Sequence, residues 1–215
     1  MKEIQSVKNP RIKELKKLHK KKYREEKAEY LLEGFHLIEE AASSDAEIKE
    51  LFVTQRGMKE WGDWLAVNKE ISTFLVSDEV MTAMSDLPTP QGILAVMTLT
   101  SEDTPDFSGG WLLLDNVQDP GNVGTMIRTA DAFGMAGVLL GKGTADIYST
   151  KVLRSMQGSN YHLPVLQKDL AEVIPVMKGK GFTVYGTELN EEAHALDKVE
   201  KTEDFAIIME TKVRE

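Results

Sequence analysis

Residues 111–140, WLLLDNVQDPGNVGTMIRTADAFGMAGVLL, decide the fold of this chain. An apolar run at 111–114 leads into the polar loop DNVQDPG, then into an amphipathic stretch that ends at Gly134, and then into a second apolar run at 137–140. This order predicts a strand, a helix and a second strand parallel to the first. Because strand–helix–strand units build α/β proteins, the second half of the chain is predicted to be α/β.

The loop after the first of these strands carries the residues best suited to bind a ligand. Asn122 and Gly124 open the helix predicted over 122–133, which places polar groups and backbone N–H donors at the carboxyl edge of a parallel sheet. Arg128 is expected in the second turn of this helix, near the same edge. In the alternative interpretation, the loop binds no ligand: Asn122 then caps the N-terminus of the helix, and Arg128 is a surface charge that pairs with Asp131. The order G-x-G-x-x-G is missing, so no Rossmann site is predicted.

Strands and short helices also alternate across the first hundred residues, which predicts a second α/β unit. Between the two units lies the polar stretch TLTSEDTPDFSGG, which has no hydrophobic periodicity and contains Pro105. We therefore expect one domain over residues 1–98, a linker over 99–109 and a second domain over 110–215. The strands predicted in the first domain are 30–32, 48–53, 71–76 and 93–97.

The composition of the 215-residue chain excludes several classes of protein. With 41% hydrophobic and 28% charged residues it is typical of a globular protein, and no apolar run is long enough to predict a membrane span. Cysteine is absent, which excludes disulfides, thiolate nucleophiles and cysteine-ligated metals and fits a cytoplasmic location. The four histidines are scattered without metal-ligand spacing, so no metal site is expected.

The net charge of −9 combines a basic first segment with an acidic remainder. Residues 1–30 contain 11 Lys or Arg against 5 Glu, a net of +6, whereas residues 31–215 contain 15 basic against 30 acidic residues, a net of −15. Residues 9–29 are predicted to form one exposed helix with a narrow apolar stripe. Its basic face is either a solvated surface or an arm that neutralises nucleic-acid phosphates. The residues of that face are Lys16, Lys17, Lys20, Lys21, Lys22 and Arg24.

A resemblance to a known family rests on five residues of the first motif. Asn122, Gly124, Arg128, Phe133 and Gly134 form the pattern N-x-G-x-x-x-R-x-x-x-x-F-G, which resembles the first motif of the SpoU (TrmH) family of RNA ribose 2′-O-methyltransferases. Segments in both halves agree with it in the family's order. Segment 151–165 is similar to the central stretch of the family, 185–187 to the strand before its cofactor loops, and 32–34 and 89–92 to its L30e-like substrate-binding domain.

The resemblance implies both a fold and an activity. The expected fold is an L30e-like α/β domain followed by an α/β-knot (SPOUT-type) methyltransferase domain. The expected activity is methyl transfer from S-adenosylmethionine to a ribose 2′-hydroxyl of structured RNA, rRNA or tRNA, by a homodimer in the intact family. Arg128 matches the arginine assigned to activation of the hydroxyl, and Asn122 the asparagine that helps to hold the site. By the same resemblance, the cofactor-binding residues are Gly186, Thr187, Ile208 and Met209, and Arg154 joins the basic face in binding RNA.

The resemblance stops at the end of the chain. After FAIIM at 205–209, a predicted buried strand, the family continues with a loop of the form G-N-E-x-x-G and a Ser-Leu-Asn segment, whereas this chain has ETKVRE at 210–215. We therefore expect a C-terminally truncated catalytic domain, arising by frameshift, as a fragment, or in a member that has lost catalysis. The sequence leaves two other functions open: a non-catalytic RNA-binding protein, and a nucleotide-binding α/β enzyme that uses the DPGNVG loop for phosphate.

Overall fold

A computed structural model describes residues 2–99, 106–187, 191 and 193–210, without the side chain of Leu196. These residues form two five-stranded sheets, the first over residues 2–98 and the second over 110–210. The predicted linker at 99–109 falls largely on residues 100–105, which lie outside the described residues, so the domain boundary stays a prediction. In the described ranges, no helix is long and apolar enough to cross a membrane, and no cluster of side chains could hold a metal ion.

The first sheet is mixed and is covered by helices on both faces. Its strands are β1 (Lys2–Ile4), β2 (Glu29–Glu33), β3 (Ile48–Val53), β4 (Ser72–Val76) and β5 (Ile93–Thr98), and its helices are α1 (Pro10–Leu15), α2 (Lys21–Lys27), α3 (Phe35–Ala42), α4 (Gln55–Val67) and α5 (Asp78–Met84). The strand order is β1-β4-β3-β5-β2, in which β5 is antiparallel to both of its neighbours. The apolar side chains divide between two clusters, one on each face. The sequence does not predict β1. This strand has three residues, of which only Ile4 is buried, so the apolar pattern typical of a strand is absent.

The basic segment at 9–29 is not the single exposed helix that the sequence predicts. It consists of α1, a 3-10 turn over Lys16–His19 and α2, and it breaks at Lys20, whose backbone is extended (φ −101°, ψ 129°). The cause is packing, since the apolar stripe is buried in the same cluster as α5 and one face of the sheet. The stripe residues, each at most 3% exposed, are Ile12, Leu15 and Leu18.

The second sheet is entirely parallel, which confirms the predicted α/β class. Its strands are β6 (Gly110–Asp115), β7 (Gly137–Leu140), β8 (Val165–Gln167), β9 (Thr183–Gly186) and β10 (Phe205–Glu210), and its helices are α6 (Pro120–Ala132), α7 (Thr150–Met156) and α8 (Leu170–Gly179). The strand order is β8-β7-β6-β10-β9. Residues of the central strands enter separate apolar clusters on the two faces, as in other parallel sheets covered on both sides.

Strand β10 is less buried than the sequence predicts. Its main chain pairs with β6 on one side and with β9 on the other, so the strand is internal to the sheet. Of its apolar side chains, however, only Ala206 is fully buried, while Phe205, Ile207, Ile208 and Met209 are partly buried. The sheet therefore presents apolar surface at this strand.

Successive strands are added on opposite sides of β6 in the second sheet. From β6 the chain passes through α6 to β7 and β8 on one side, and it later enters β9 and β10 on the other side. The carboxyl ends of β6 and β10 are in register, with Leu114 opposite Met209 and Asp115 opposite Glu210. Connections that diverge from such a point leave a crevice at the carboxyl edge, where ligands of parallel sheets bind. The loop at 116–119 and the first turn of α6 lie at this crevice.

Helix α6 begins at Pro120, two residues before the predicted start at Asn122. The N-cap is Asp119, whose carboxylate accepts a hydrogen bond from the backbone N–H of Asn122 (2.7 Å). Proline is favoured at the first helical position because the N–H that it lacks would have no partner in the helix. Asn122 is therefore a residue of the first turn and not the cap.

Helices α6 and α7 cross in close contact at Gly124. A Cβ at this position would lie 2.3 Å from the Cβ of Ser155 and 2.8 Å from the backbone nitrogen of Met156. Only glycine permits such an approach without a shift of one helix. The glycine thereby holds the helix that carries Arg128 against the helix that carries Arg154.

We predict that Gly124→Ala destabilises the protein by about 1–3 kcal/mol, because the added methyl group forces two packed helices apart. Urea unfolding followed by circular dichroism measures the change. The matched control is Gly62→Ala in α4, where a Cβ would meet no atom within 4 Å. The higher helix propensity of alanine should stabilise that variant by up to about 1 kcal/mol. Equal stabilities of the two variants would contradict the close crossing.

Candidate active site

The loop that joins β6 to α6 is fixed by hydrogen bonds to the segment that follows β7. The hydroxyl of Thr144 donates to the carbonyl of Leu114 (2.9 Å), and the backbone N–H of Ala145 donates to the carbonyl of Val117 (2.9 Å). Asn116 adopts the left-handed backbone conformation (φ 52°), which asparagine tolerates better than most residues. The loop is therefore a preformed wall of the crevice.

Asn122 lies at the carboxyl edge of the sheet, where the sequence places it. Its backbone N–H is bonded to Asp119, but its side chain is exposed and makes no hydrogen bond within the described residues. A side-chain amide can both donate and accept hydrogen bonds. Asn122 is thus free to contact a ligand in the crevice.

Arg128 lies further from this edge than the sequence predicts. It is in the third turn of α6 and not the second, so that it is about 12 Å along the helix axis from Pro120. Its side chain is exposed and forms no ion pair with any residue in the described part of the chain. The interpretation that pairs it with Asp131 is wrong, because the Asp131 carboxylate is bonded to His162.

The four residues expected to bind the cofactor come together at the ends of β9 and β10. Ile208 lies opposite Gly186, and the backbone N–H and the hydroxyl of Thr187 both donate to the Ile208 carbonyl (3.2 and 2.9 Å). The Thr187 hydroxyl also lies 3.5 Å from the sulfur of Met209. A Cβ on Gly186 would meet no atom within 4 Å, and the Ile208 and Met209 side chains are partly buried. This edge therefore offers apolar contact and open space to a ligand.

The basic arm, which we define as Lys16, Lys17, Lys20, Lys21 and Lys22, is exposed along its whole length. The Nζ of Lys17 lies 5.7 Å from the ring centroid of Tyr23, and Lys21 donates to the side chain of Gln167 (3.1 Å) at the end of β8. The arm therefore reaches from the first sheet to the second. It can present several positive charges to one polyanion at the junction of the two halves.

Arg24, expected to bind RNA with these lysines, is instead buried at 4% exposure. Its guanidinium donates to the carbonyl of Leu18 (2.8 Å) and forms an ion pair with Asp146 of the second half. The break at Lys20 starts a new helix, and Arg24 lies on the inner face of that helix. We therefore correct its role, since a guanidinium in a buried ion pair holds the two halves together and is not available to RNA.

The two segments of the first half that carry the resemblance meet at Glu33. Its buried carboxylate accepts hydrogen bonds from the hydroxyl of Ser85 (2.6 Å) and from the backbone N–H of Gln91 (2.9 Å). Burial raises the pKa of the Glu33 carboxyl, while these hydrogen bonds and the positive charges of Arg154 and His19 oppose the rise. The exposed Arg154 of α7 thus lies close enough to the first half to act on a carboxylate there.

His162 connects the two halves through two carboxylates, and sequence reasoning does not identify it. Its Nδ1 lies 2.8 Å from an oxygen of Asp131 on α6, and its Nε2 lies 3.1 Å from an oxygen of Glu40 on α3. The hydrogen bond to Asp131 raises the pKa of the imidazole, and Glu40 acts in the same direction against the effect of burial. These three residues are far apart in the chain and form no motif, so no signal in the sequence points to them.

We predict that the free energy of unfolding decreases as pH rises through the pKa of His162. Because this pKa is higher in the folded state than its ordinary value of 6.5, the stabilisation is complete below 6.5 and is lost as the folded imidazole deprotonates. Urea unfolding between pH 6 and pH 9 measures it. His162→Ala should remove this component of the pH dependence, and the control His194→Ala should retain it. A pH profile unchanged by His162→Ala would contradict the bridge.

Comparison with known proteins gives family matches over both halves of the chain. Residues 9–95 match the MRM3-like substrate binding domain, and residues 111–210 match the SpoU rRNA Methylase family. The two matches include the basic arm, both segments that meet at Glu33 and every residue of the candidate active site.

Individual relatives agree with these matches. The 23S rRNA (guanosine(2553)-2'-O)-methyltransferase RlmP of Bacillus subtilis (strain 168) is 40% identical over 213 residues, which are 97% of this chain and 82% of that protein. Human mitochondrial rRNA methyltransferase 3 is 34% identical over 163 residues, 71% of this chain and 38% of the relative. The crystal structure of AdoMet-bound rRNA methyltransferase from Sinorhizobium meliloti has a TM-score of 0.84 at 26% identity, covering 98% of this chain and 82% of that one.

Proposed function

Because the chain belongs to the SpoU rRNA methylase family, we propose that it transfers a methyl group from S-adenosylmethionine to a ribose 2′-hydroxyl of ribosomal RNA. The observation that carries the proposal is the position of the first motif. The helix with Asn122 and Arg128 leaves β6 at the crevice where the winding of the sheet reverses. The two alternatives from the sequence, RNA binding without catalysis and a nucleotide-binding enzyme, are not favoured, since the relatives are named methyltransferases.

The residues at the ends of β9 and β10 fit one part of the cofactor. S-adenosylmethionine supplies a methyl group already activated by its sulfonium, so the protein mainly has to position the two reactants and stabilise the charge that develops as the hydroxyl loses its proton. Ile208 and Met209 offer apolar contact to the adenine, and Gly186 leaves open space beside them. Thr187 ties the ends of the two strands together through its bonds to the Ile208 carbonyl. We assign these four residues to cofactor binding.

Arg128 is the residue we propose to act on the RNA. A guanidinium stays protonated in proteins, with a pKa above about 12, so that it is a poor general base. The planar guanidinium can donate two parallel hydrogen bonds to a phosphate or a developing oxyanion. Among the described residues, Arg128 forms no ion pair that would compete with such a contact. The family assigns deprotonation of the hydroxyl to this arginine, but a protonated guanidinium cannot accept the proton. In the step that we propose, the hydroxyl proton leaves to water as the oxygen bonds to the methyl carbon, and Arg128 stabilises the negative charge that develops on the oxygen. Asn122, at the edge of the crevice, helps to orient the reactants.

The first half of the chain, residues 1–98, is proposed to bind the RNA substrate. The basic arm supplies positive charge for phosphates, and Arg154 extends this charge to α7 beside the catalytic helix. Arg24 is excluded from this set by its burial.

We also propose a homodimer, as the family leads us to expect; Phe133 at the end of α6 is 82% exposed and available to a second copy. A cytoplasmic location, which fits a chain without cysteine, is proposed with it.

Arg128→Ala is predicted to lower the rate of methyl transfer by about 100-fold, because it removes a charged donor from the site of the developing oxyanion. The assay follows incorporation of tritiated methyl groups into unmodified 23S rRNA. The matched control is Arg56→Ala, which removes an exposed arginine of the first half that pairs with Glu60. A wild-type rate in Arg128→Ala would refute the role of Arg128, and wild-type protein that neither transfers a methyl group nor binds S-adenosylmethionine by calorimetry would refute the function.

Replacement of Lys20, Lys21 and Lys22 by alanine is predicted to weaken RNA binding and to flatten its dependence on salt. The logarithmic slope should fall by about one unit for each phosphate that the arm no longer neutralises. Fluorescence anisotropy over roughly 50 to 300 mM KCl measures the slope. The control replaces three other exposed lysines with the same change of charge: Lys59, Lys69 and Lys178. An unchanged slope in the first variant would exclude the arm from the RNA interface.

A further inference from the structure

Helix α6 carries an arginine and an aspartate that are spaced to attract each other. Arg128 and Asp131 are three residues apart, and opposite charges at this spacing on a helix form ion pairs. In the described structure they do not, since Arg128 has no ion-pair partner and the Asp131 carboxylate is bonded to His162. The Asp131 carboxylate, which is spaced to pair with the Arg128 guanidinium, is thus bonded to His162 instead.

The imidazole of His162 can hold both of its carboxylates only when it is protonated. Asp131 approaches Nδ1 and Glu40 approaches Nε2, so both ring nitrogens face hydrogen-bond acceptors. A neutral imidazole has one N–H and would present a lone pair to the second carboxylate. His36 of α3 also faces this position, with its Nδ1 3.8 Å from the Glu40 carboxylate.

The backbone around His162 is fixed by the contact between the two halves. A Cβ on Gly158, which has a φ of 91°, would lie 2.9 Å from Cγ of Glu40. The hydroxyls of Tyr161 and Tyr30 are hydrogen-bonded across the same contact (2.9 Å). His162 follows this turn, and its backbone N–H donates to the carbonyl of Ser159 (3.0 Å). The ring therefore meets α6 and α3 from a rigid position.

We infer that His162 is a positioning residue for Arg128: by binding Asp131, it keeps that carboxylate from neutralising the guanidinium and so leaves Arg128 free for the RNA. The inference rests on the proposed role of Arg128 in contacting RNA. It assigns His162 no contact with substrate or cofactor, since it acts through Asp131.

The inference fixes the direction of a pH dependence. As pH rises through the pKa of His162, which the Asp131 hydrogen bond raises, the ring loses its positive charge, so that its bond to Asp131 weakens and this carboxylate is held less firmly away from Arg128. Affinity for RNA should therefore fall over this range of pH in the wild-type protein. His162→Gln, whose amide can donate to Asp131 but does not titrate, should bind RNA as the wild type does and lack this fall.

The test is a mutant cycle on RNA affinity, measured by fluorescence anisotropy with an unmodified 23S rRNA transcript at low salt. His162→Ala should raise the Kd about twofold, as the energy of an i,i+3 ion pair implies. Asp131→Asn added to His162→Ala should restore the wild-type Kd, because it removes the competing charge. In an Arg128→Ala background, His162→Ala should have no further effect. Thermal unfolding of each variant identifies losses that come from misfolding alone.

Three results of this cycle would overturn the inference. A wild-type Kd for His162→Ala would show that Asp131 does not compete, and failure of Asp131→Asn to restore binding would show that His162 acts by another route. An equal loss in the Arg128→Ala background would assign His162 a general structural role. If His162→Ala does not fold, a pH-dependent Kd retained in His162→Gln refutes the inference instead. Absence of methyl transfer by the wild type would contradict the proposed function alone, because the cycle is read from RNA binding.

Discussion

The parallel pairing of β10 with β6 is the constraint on which the rest of the structure depends. With β7 on the other side, this pairing makes β6 the strand at which the chain changes direction, and it leaves a crevice at the carboxyl edge. This register places Asn122, at the start of α6, and the ends of β9 and β10 at the same edge of the sheet. A different strand order would separate the first motif from the residues assigned to the cofactor.

The two halves of the molecule share one apolar cluster, and polar groups at its margin also join them. The buried guanidinium of Arg24 binds Asp146, and His162 links Asp131 of α6 to Glu40 of α3. At the same time α7 packs against α6 at Gly124, and its Arg154 acts on Glu33 of the first half. The position of α6 relative to the first half is thus determined by contacts on two of its sides. Residues at the junction of the two halves therefore help to place α6, which carries Asn122 and Arg128.

Much of the second sheet could be predicted from the sequence, and parts of the first half could not. Strand-length apolar runs and the Pro-Gly turn predict β6, α6 and β7, because local pattern determines these elements. For the basic segment the sequence predicts one exposed helix, but burial of Ile12, Leu15 and Leu18 breaks it at Lys20 and places Arg24 inside. Tertiary packing decides that outcome, and no local signal reports it. For the same reason the bridge at His162, made by three residues distant in the chain, is visible only in three dimensions.

If the chain methylates ribosomal RNA on ribose at the crevice beside β6, as we propose, the product is a 2′-O-methylated nucleotide. Mass spectrometry of nuclease-digested 23S rRNA, after incubation of the unmodified RNA with the protein and S-adenosylmethionine, tests it most directly. We expect one nucleotide to gain a methyl group on its ribose and to resist alkaline cleavage at that position. Methylation confined to a base, or RNA that is bound but left unmodified, would refute the proposed function.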